Sequence, residues 1–505
     1  MKKLLTYFSL FVCLLLLVAC GGNEQGNIKD NNELGDYTSD ELKNLEAEVT
    51  FWHAMGQSNQ AVIDEIIKVF NELYPNITVT QQNQGGYTEL RDKIAKSIRI
   101  GEQPTIAQAY PDHISLYLQA VRELDSYVDH PQYGLTQNQI NDYITTYYQE
   151  GKIYDTEGTL YSLPFNKSTE VLFINASWFQ EHGLLEKYNL GQIVTSNAGN
   201  KVFQASENAH LSWEDIEEIG KYFIQTPEYT GLSAADKLDY YAFSYDSEAN
   251  LFITITQQWG GEYTKLTGEG EGEFVFDNQE SKAAIKWYFD SYKAGYFVTA
   301  SKWDGADYTS DQFTSGKVKM SIGSSAGASY NDPGDKFVLG VLPYPQKESA
   351  YAGETEKYVI QQGTNVALFK CDDAKEELAG WLFLRHLTTW NQTEGFPVEK
   401  QPTYIWCTKT GYFPILQSLR NSKLYDDFLN GITYVDGNPV VEDRSLTATV
   451  SIVGYDQRDS FYTSPSFPGT STCRDLVENL IEAVMYANVS IDDAYSAALN
   501  ELGSY

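Results

Sequence analysis

Basic charge is what this chain has least of. Its 505 residues carry 36 Lys and Arg against 69 Asp and Glu, a formal net charge of −33. Such a surface repels phosphate backbones and anionic headgroups, which argues against nucleic acid or anionic lipid as a diffuse partner. Histidine is scarce as well, with six residues and no HxxxH-type spacing, so no metal site is expected. The spacings of Cys371, Cys407 and Cys473 match no metal or disulfide framework. A disulfide between two of the three stays open. There is no GxSxG elbow, no GxxxxGK(S/T) phosphate loop and no internal repeat.

These absences narrow the function classes. Carboxylates are plentiful, and a secreted glycoside hydrolase would share the acidic, aromatic composition, but no local arrangement isolates a catalytic pair. That enzyme is the competing reading. A structural or adhesive lipoprotein would show repeats or a β-rich pattern, and neither is present.

What the chain does have begins at its first residue. Lys2 and Lys3 precede an apolar run, Leu10 to Val18, which is signal-peptide length and too short to span a bilayer. The run ends Leu17-Val18-Ala19-Cys20, with Gly21-Gly22 after it. This is similar to a bacterial lipobox. The reading is a signal peptide over 1–19, lipidated Cys20, and a flexible polar tether over 20–47. An ordinary signal peptide cut near Ala19 is the plainer alternative.

The body alternates strand and helix. EVTFWH reads as a strand, followed by a helix with Val62, Ile66 and Leu73 in phase, then the strand NITVTQ. A helix carrying Leu90, Ile94 and Ile98 has Thr88 as its expected N-cap, and TIAQAY is the next strand. Further on, VLFIN, VKMSIG, FVLGVL and NVALF read as strands. Ser212 and Asp215 form a capping-box pattern. The helix 374–389 and terminal helices complete an α/β pattern that implies parallel sheets with crossover helices. Ligand sites in such sheets lie at the strand C-termini.

FWHAM, FNELYPNITVT, QGGYTELRDKI, IGEQPTIAQAY, LPFNKSTEVLFINASWF, GKVKMSIGSSAG, GVLPYP, QGTNVALF and TKTGYFPILQS occur in that order. Together they resemble the extracellular solute-binding proteins (family 1) of bacterial ABC importers. Within that family the loops are most similar to the glycerol-3-phosphate-binding branch. The resemblance covers the chain from about Glu48 to the C-terminus. It implies a two-lobe periplasmic-binding-protein-like α/β fold with a hinged cleft. Lobe 1 would hold 48–165 and 306–370, and lobe 2 would hold 166–305 and 371–505. It also implies a monomer without cofactor or catalysis, held outside the cytoplasm on the membrane. Its expected partners are a small solute and ABC permease subunits.

The site residues follow from the same resemblance, each beside a plainer role. Tyr87 and Tyr412 would present hydroxyls to the ligand; alternatively they are surface and packed aromatics. Ser168 suits a hydroxyl donor and a turn residue equally. Ser324 and Ser325 in GSSAG are not separable as contacts. Gly363 would offer its N–H, or serve as a turn glycine. Trp259, beside Gly260 and Gly261, reads as a cleft wall. The branch usually has an acidic residue after the TIAQAY strand; Pro111 stands there, and Asp112 is the expected substitute.

Arg474 is the pivotal residue. It is read in the first turn of a helix, where the dipole disfavours a cation. The branch places an Arg there to clamp phosphate, so Arg474 with Ser471 and Thr472 would form an anion site. A salt bridge to Asp475 or Glu478 is the alternative. The segments 190–209 and 433–459 look long against the family and would reshape the cleft mouth.

Overall fold

The computed structural model describes residues 34–268, 271–303, 308–391, 395–435 and 437–503. The signal peptide and Cys20 lie outside the described residues. Ten strands form the main sheet system: β1 (Ala47–His53), β2 (Ile77–Asn83), β3 (Ile106–Ala109), β4 (Ser162–Asn175), β5 (Tyr241–Tyr245), β6 (Phe297–Thr299), β7 (Val318–Ser324), β8 (Leu339–Pro343), β9 (Val359–Leu368) and β10 (Phe461–Tyr462). Their order is β6-β5-β7-β4-β9-β3-β1-β2, with β8 on β4 and β10 on β9.

The path is two sheets sharing two strands. The first half of β4 (Ser162–Thr169) pairs antiparallel with β9 in one lobe. Its second half pairs with β7 on one side and β8 on the other in the second lobe. β1 pairs parallel with β2 and β3, as the alternation predicts. The sheets are nevertheless mixed, because β4 and β9 run antiparallel to each other and β9 runs antiparallel to β3.

The lobes partition differently from the sequence expectation. Helix α1 (Gln57–Leu73), helix α6 (Ala374–Thr388) and helix α7 (Pro402–Lys409) bury Phe70, Trp381 and Trp406 in one core with Phe51 and Phe165. So 371–429 belongs to lobe 1, not lobe 2. Strands β7 and β8 pair with the second half of β4, so 318–343 belongs to lobe 2. The second core also takes helix α3 (Trp213–Phe223), helix α4 (Glu248–Gln258), helix α5 (Gln279–Lys293) and the terminal helices α9 (Thr470–Met485) and α10 (Ile491–Leu502). The chain crosses between lobes three times, as the expected split has it, but at different points: within β4, within β9 and after Leu429.

The tether expectation is corrected over its second half. Residues from Leu34 onward lie on lobe 1. The Tyr133 hydroxyl donates to the Gly35 carbonyl at 3.2 Å, and Leu42 and Leu45 enter the core. Thr38 caps a short helix, Ser39–Lys43, by a capping box that sequence inspection passed over. Ser212 and Asp215 form the expected box on α3.

Alternation missed the true length of β4 because all fourteen residues are buried. Its middle, Asn166 to Glu170, is polar where the strand passes between the lobes. Burial there is compensated bond by bond. Lys167 pairs with Glu150, Thr169 Oγ1 donates to the Ile360 carbonyl at 2.7 Å, and Asn250 Nδ2 donates to Glu170 at 2.8 Å.

Candidate functional site

A small cavity, ≈ 70 Å³, lies where the lobes meet. The C-terminal end of β3 supplies Tyr110, Pro111 and Asp112; β9 supplies Gln361, Gln362 and Gly363; α4 supplies Asn250; and α9 supplies Thr470 and Arg474. This follows the rule that α/β ligand sites form beyond strand C-termini.

Helix α9 begins at Thr470, capped by Gly469 at φ 95°. Arg474 is therefore in the second turn, not the first. The conflict with the dipole is correspondingly weaker, and the helix's free N–H groups sit a turn away, beside Thr470 at the cavity wall. Arg474 Nη2 donates to Asn250 Oδ1. Of its two expected ion-pair partners, Asp475 accepts from Arg91 Nη1 at 2.7 Å, and Glu478 favours its charge without a salt bridge. No described carboxylate forms a salt bridge with Arg474. Burial works against its charge, Asp112 and Tyr110 work for it, and the net effect holds the guanidinium above its ordinary pKa.

Behind Arg474 lies a second layer. Glu170, 1% exposed, accepts from Tyr245, from Asn250 at 2.8 Å and from Gln362 at 3.3 Å. Burial pushes its carboxyl up to about 7 despite these bonds. Asn250 thus holds Arg474 by its oxygen and Glu170 by its nitrogen.

The other expected residues fall into groups. Asp112, Gly363 and Arg474 line the cavity together. Tyr87 and Tyr412 approach hydroxyl to hydroxyl at 3.5 Å, and the Tyr87 ring packs 4.8 Å from Tyr110. Gly86, not Thr88, is the N-cap of helix α2 (Tyr87–Ile98). Ser324 Oγ donates to Ser168 Oγ at 3.3 Å, and Ser168 in turn donates to Gln362 Oε1 at 3.4 Å. Ser325 is 0% exposed, 3.4 Å from both the Thr169 N–H and the Gly411 carbonyl, so it braces the crossover and does not face the cavity. Trp259 ends α4 away from the cavity, 5.5 Å from Trp287 with Lys347 over its ring. Ser471 faces Arg91 at 3.1 Å, and neither it nor Thr472 lines the cavity.

Gly363 is inside β9, not in a turn. Its φ is +114°, and a Cβ there would stand 1.9 Å from the Asn166 carbonyl oxygen. The glycine is fixed by the close approach of β4 and β9.

Sequence reasoning missed Tyr110, Asn250, Gln362, Tyr263 and Glu150, all cavity-lining. Tyr110 was reachable, since it ends a short strand. The others needed the crossing of β4, β9 and α4, which no local pattern encodes. Cys371, Cys407 and Cys473 are buried free thiols, so no disulfide joins them. Among the described residues there is no cluster of three or more His, Cys, Asp or Glu that could hold a metal, and no helix long and apolar enough to cross a membrane.

Two α/β lobes, two shared strands and a cavity between them define a ligand-capturing hinge protein. The bacterial extracellular solute-binding protein profile matches residues 65–428, and the chain belongs to that family. An sn-glycerol-3-phosphate-binding periplasmic protein of Agrobacterium fabrum is 27% identical over 140 residues, 27% of this chain and 31% of that protein. The first relatives are therefore matched over about a third of their length. The protein so named in Shigella dysenteriae is 21% identical over 378 residues, 73% of this chain and 74% of that one. Among solved structures, UgpB of Mycobacterium tuberculosis with glycerophosphocholine has a TM-score of 0.65 at 17% identity, covering 91% of this chain and 98% of that one. The Listeria monocytogenes ABC substrate-binding protein Lmo0181 with cycloalternan has a TM-score of 0.66 at 16% identity, covering 91% and 98%. These likenesses show the fold.

Proposed function

We propose that this protein is a lipoprotein, anchored through Cys20, that captures a small organic phosphate by lobe closure and hands it to an ABC import permease. Glycerol-3-phosphate or a related glycerophosphate is the preferred solute. A carbohydrate is the second reading, and the sugar-bound structural neighbours favour it. No catalysis accompanies binding.

One observation carries the phosphate reading. Arg474 presents a guanidinium to the interlobe cavity with an amide partner and no salt bridge to a described residue, in a chain of net charge −33. An Arg fork bonded to an amide, with carboxylates near it but none in salt-bridge contact, suits a phosphate. Thr470, Tyr110 and Gln362 offer neutral groups around it. Asp112 suits a ligand hydroxyl at the other end, and Tyr87, Tyr412, Ser168 and Ser324 form the surrounding shell. A cavity this small fits a solute of few heavy atoms better than an oligosaccharide. Ligand bridging both lobes stabilises the closed state by its differential contacts.

The test is a thermal-shift and calorimetric panel of glycerol-3-phosphate, glycerophosphocholine and maltotriose. Glycerophosphates are expected to stabilise the protein, and Arg474→Ala to abolish that effect. Stabilisation by maltotriose alone, unaffected by Arg474→Ala, would replace the phosphate reading with the sugar one. Labelled-palmitate incorporation that persists in Cys20→Ala would overturn the anchor.

A further inference from the structure

Buried polar atoms are normally hydrogen-bonded, and one that borders a cavity without a partner points to what the cavity receives. Among the described residues, Tyr263 alone combines the two conditions. Its hydroxyl has no hydrogen-bond partner, and the residue lines the interlobe cavity. Other unpartnered groups, such as Thr403 and Trp406 on α7 and Ser451 on helix α8 (Leu446–Asp456), lie away from that cavity.

The ring is held too firmly to turn toward a partner elsewhere. Tyr263 is 2% exposed and belongs to the core of lobe 2. It stands edge-on to Phe252 of α4 and tilted against Phe276, each 6.2 Å away between centroids. Its carbonyl accepts from the Val275 N–H at 3.1 Å, which fixes the backbone behind the ring. The Cys473 thiol lies beside the hydroxyl without forming a hydrogen bond, and a thiol is a weak partner.

The charges that reach this hydroxyl belong to the cavity. Arg474 and Asp112 both act on the Tyr263 phenol, and both line the cavity. Burial, the larger influence, holds the phenol well above its ordinary pKa, so it stays protonated and able to donate. The cavity's carboxylates do not take that bond: Asp112 leaves the hydroxyl unpartnered, and Glu150 is held by Lys167 and Gln361. Arg474 is itself a donor and never an acceptor. Two donors from lobe 2 thus border one small space. A phosphate oxygen, which only accepts, answers both, whereas a sugar hydroxyl brings a donor of its own.

Resting on the phosphate-capture reading, we propose that Tyr263 is a specificity-determining residue whose hydroxyl donates to a phosphate oxygen of the bound solute beside Arg474. No side chain or carbonyl of the protein competes for this donor. A ligand oxygen therefore gains the bond without breaking another.

Tyr263→Phe keeps the ring and its packing and removes the hydroxyl alone. Calorimetry with glycerol-3-phosphate, and melting curves of the whole mature protein without it, read the two sides of the proposal. The variant is expected to bind glycerol-3-phosphate at least about tenfold more weakly, the worth of a hydrogen bond to a charged group. Its melting temperature without ligand should stay level or rise, because the hydroxyl has no bond to lose. A parent that binds and a variant that binds equally well would overturn the Tyr263 contact and leave the phosphate reading standing. Weakened binding together with a lowered melting temperature would make Tyr263 a packing residue and overturn the contact too. A parent that binds no glycerol-3-phosphate would overturn the phosphate reading and the contact with it.

Discussion

Arg91 and Asp475 join the two lobes across the cleft at 2.7 Å. Arg91 is on α2 of lobe 1, Asp475 on α9 of lobe 2, and Ser471 accepts a second bond from the same guanidinium at 3.1 Å. The neighbour of Asp475 is Arg474. Because Arg91 occupies the carboxylate, the next residue along the helix is left for the cavity. One ion pair therefore fastens the lobes together and takes up the carboxylate adjacent in sequence to Arg474.

Breaking that fastening should loosen solute binding without destroying it. Asp475 is 39% exposed, so solvent screens the pair, and its worth is about 0.5–1 kcal/mol. Asp475→Asn is expected to raise the solute Kd about two- to fivefold by calorimetry. About 0.5 M salt should bring the unaltered protein close to the variant, since screening acts on the same term. A salt-independent difference would count against the latch.

Asn250 should be coupled to Arg474. Asn250→Ala removes the acceptor that holds the guanidinium and leaves Glu170 short of a donor, a loss of about 1–3 kcal/mol. Phosphate affinity should fall at least about tenfold, and the double variant with Arg474→Ala should be no weaker than Arg474→Ala alone, as expected for residues acting as one unit. Additive losses would separate the two.

The sequence made part of this layout legible. Arg474, Asp112 and Gly363 converge on one cavity because motif order carries lobe geometry with it. The Ser324 and Ser325 pair was undecidable because both sit in one small-residue turn. Which hydroxyl faces the cleft depends on the tilt of β7 against β4, and the structure turns Ser325 into the crossover. Trp259 misled because flanking glycines suggest an open loop, whereas the ring packs on Trp287, distant in sequence. The lobe boundaries were illegible for a similar reason. A strand buried from end to end, such as β4, shows no alternation to mark where one lobe stops.

Glu170 gives the protein a pH signature of known sign. Burial raises its folded pKa to about 7 from an ordinary 4.5. Its contribution to stability is then complete below about pH 4.5 and is lost as pH rises through about 7. His53 acts oppositely: burial lowers it from 6.5 to about 4, so its contribution is present above pH 6.5 and lost on acidification through about 4. Comparing Glu170→Gln with the unaltered protein isolates the first effect. The variant should gain melting temperature relative to the parent between pH 5 and 7.5, by a few degrees. A gap that stays constant across that window would mean Glu170 is not the titrating group.

Gly363 is where the hinge tolerates least change. Its φ of +114° is strained for an L side chain, and an added methyl would meet the Asn166 carbonyl at 1.9 Å. Backbone meets backbone there, so no side chain can rotate away. Gly363→Ala must either push β9 off β4 or distort the crossover that carries Lys167, Ser168 and Glu170. The expected cost is at least about 3 kcal/mol, read as a large fall in urea midpoint. Where the variant still folds, solute affinity should fall further than stability predicts, because Gln362 and Gly363 line the cavity directly. Glycine is thus required at 363 by the meeting of two strands, and the cavity inherits the backbone they leave. A variant with the parent's urea midpoint and undiminished solute affinity would show that β4 and β9 lie farther apart than this crossing has them.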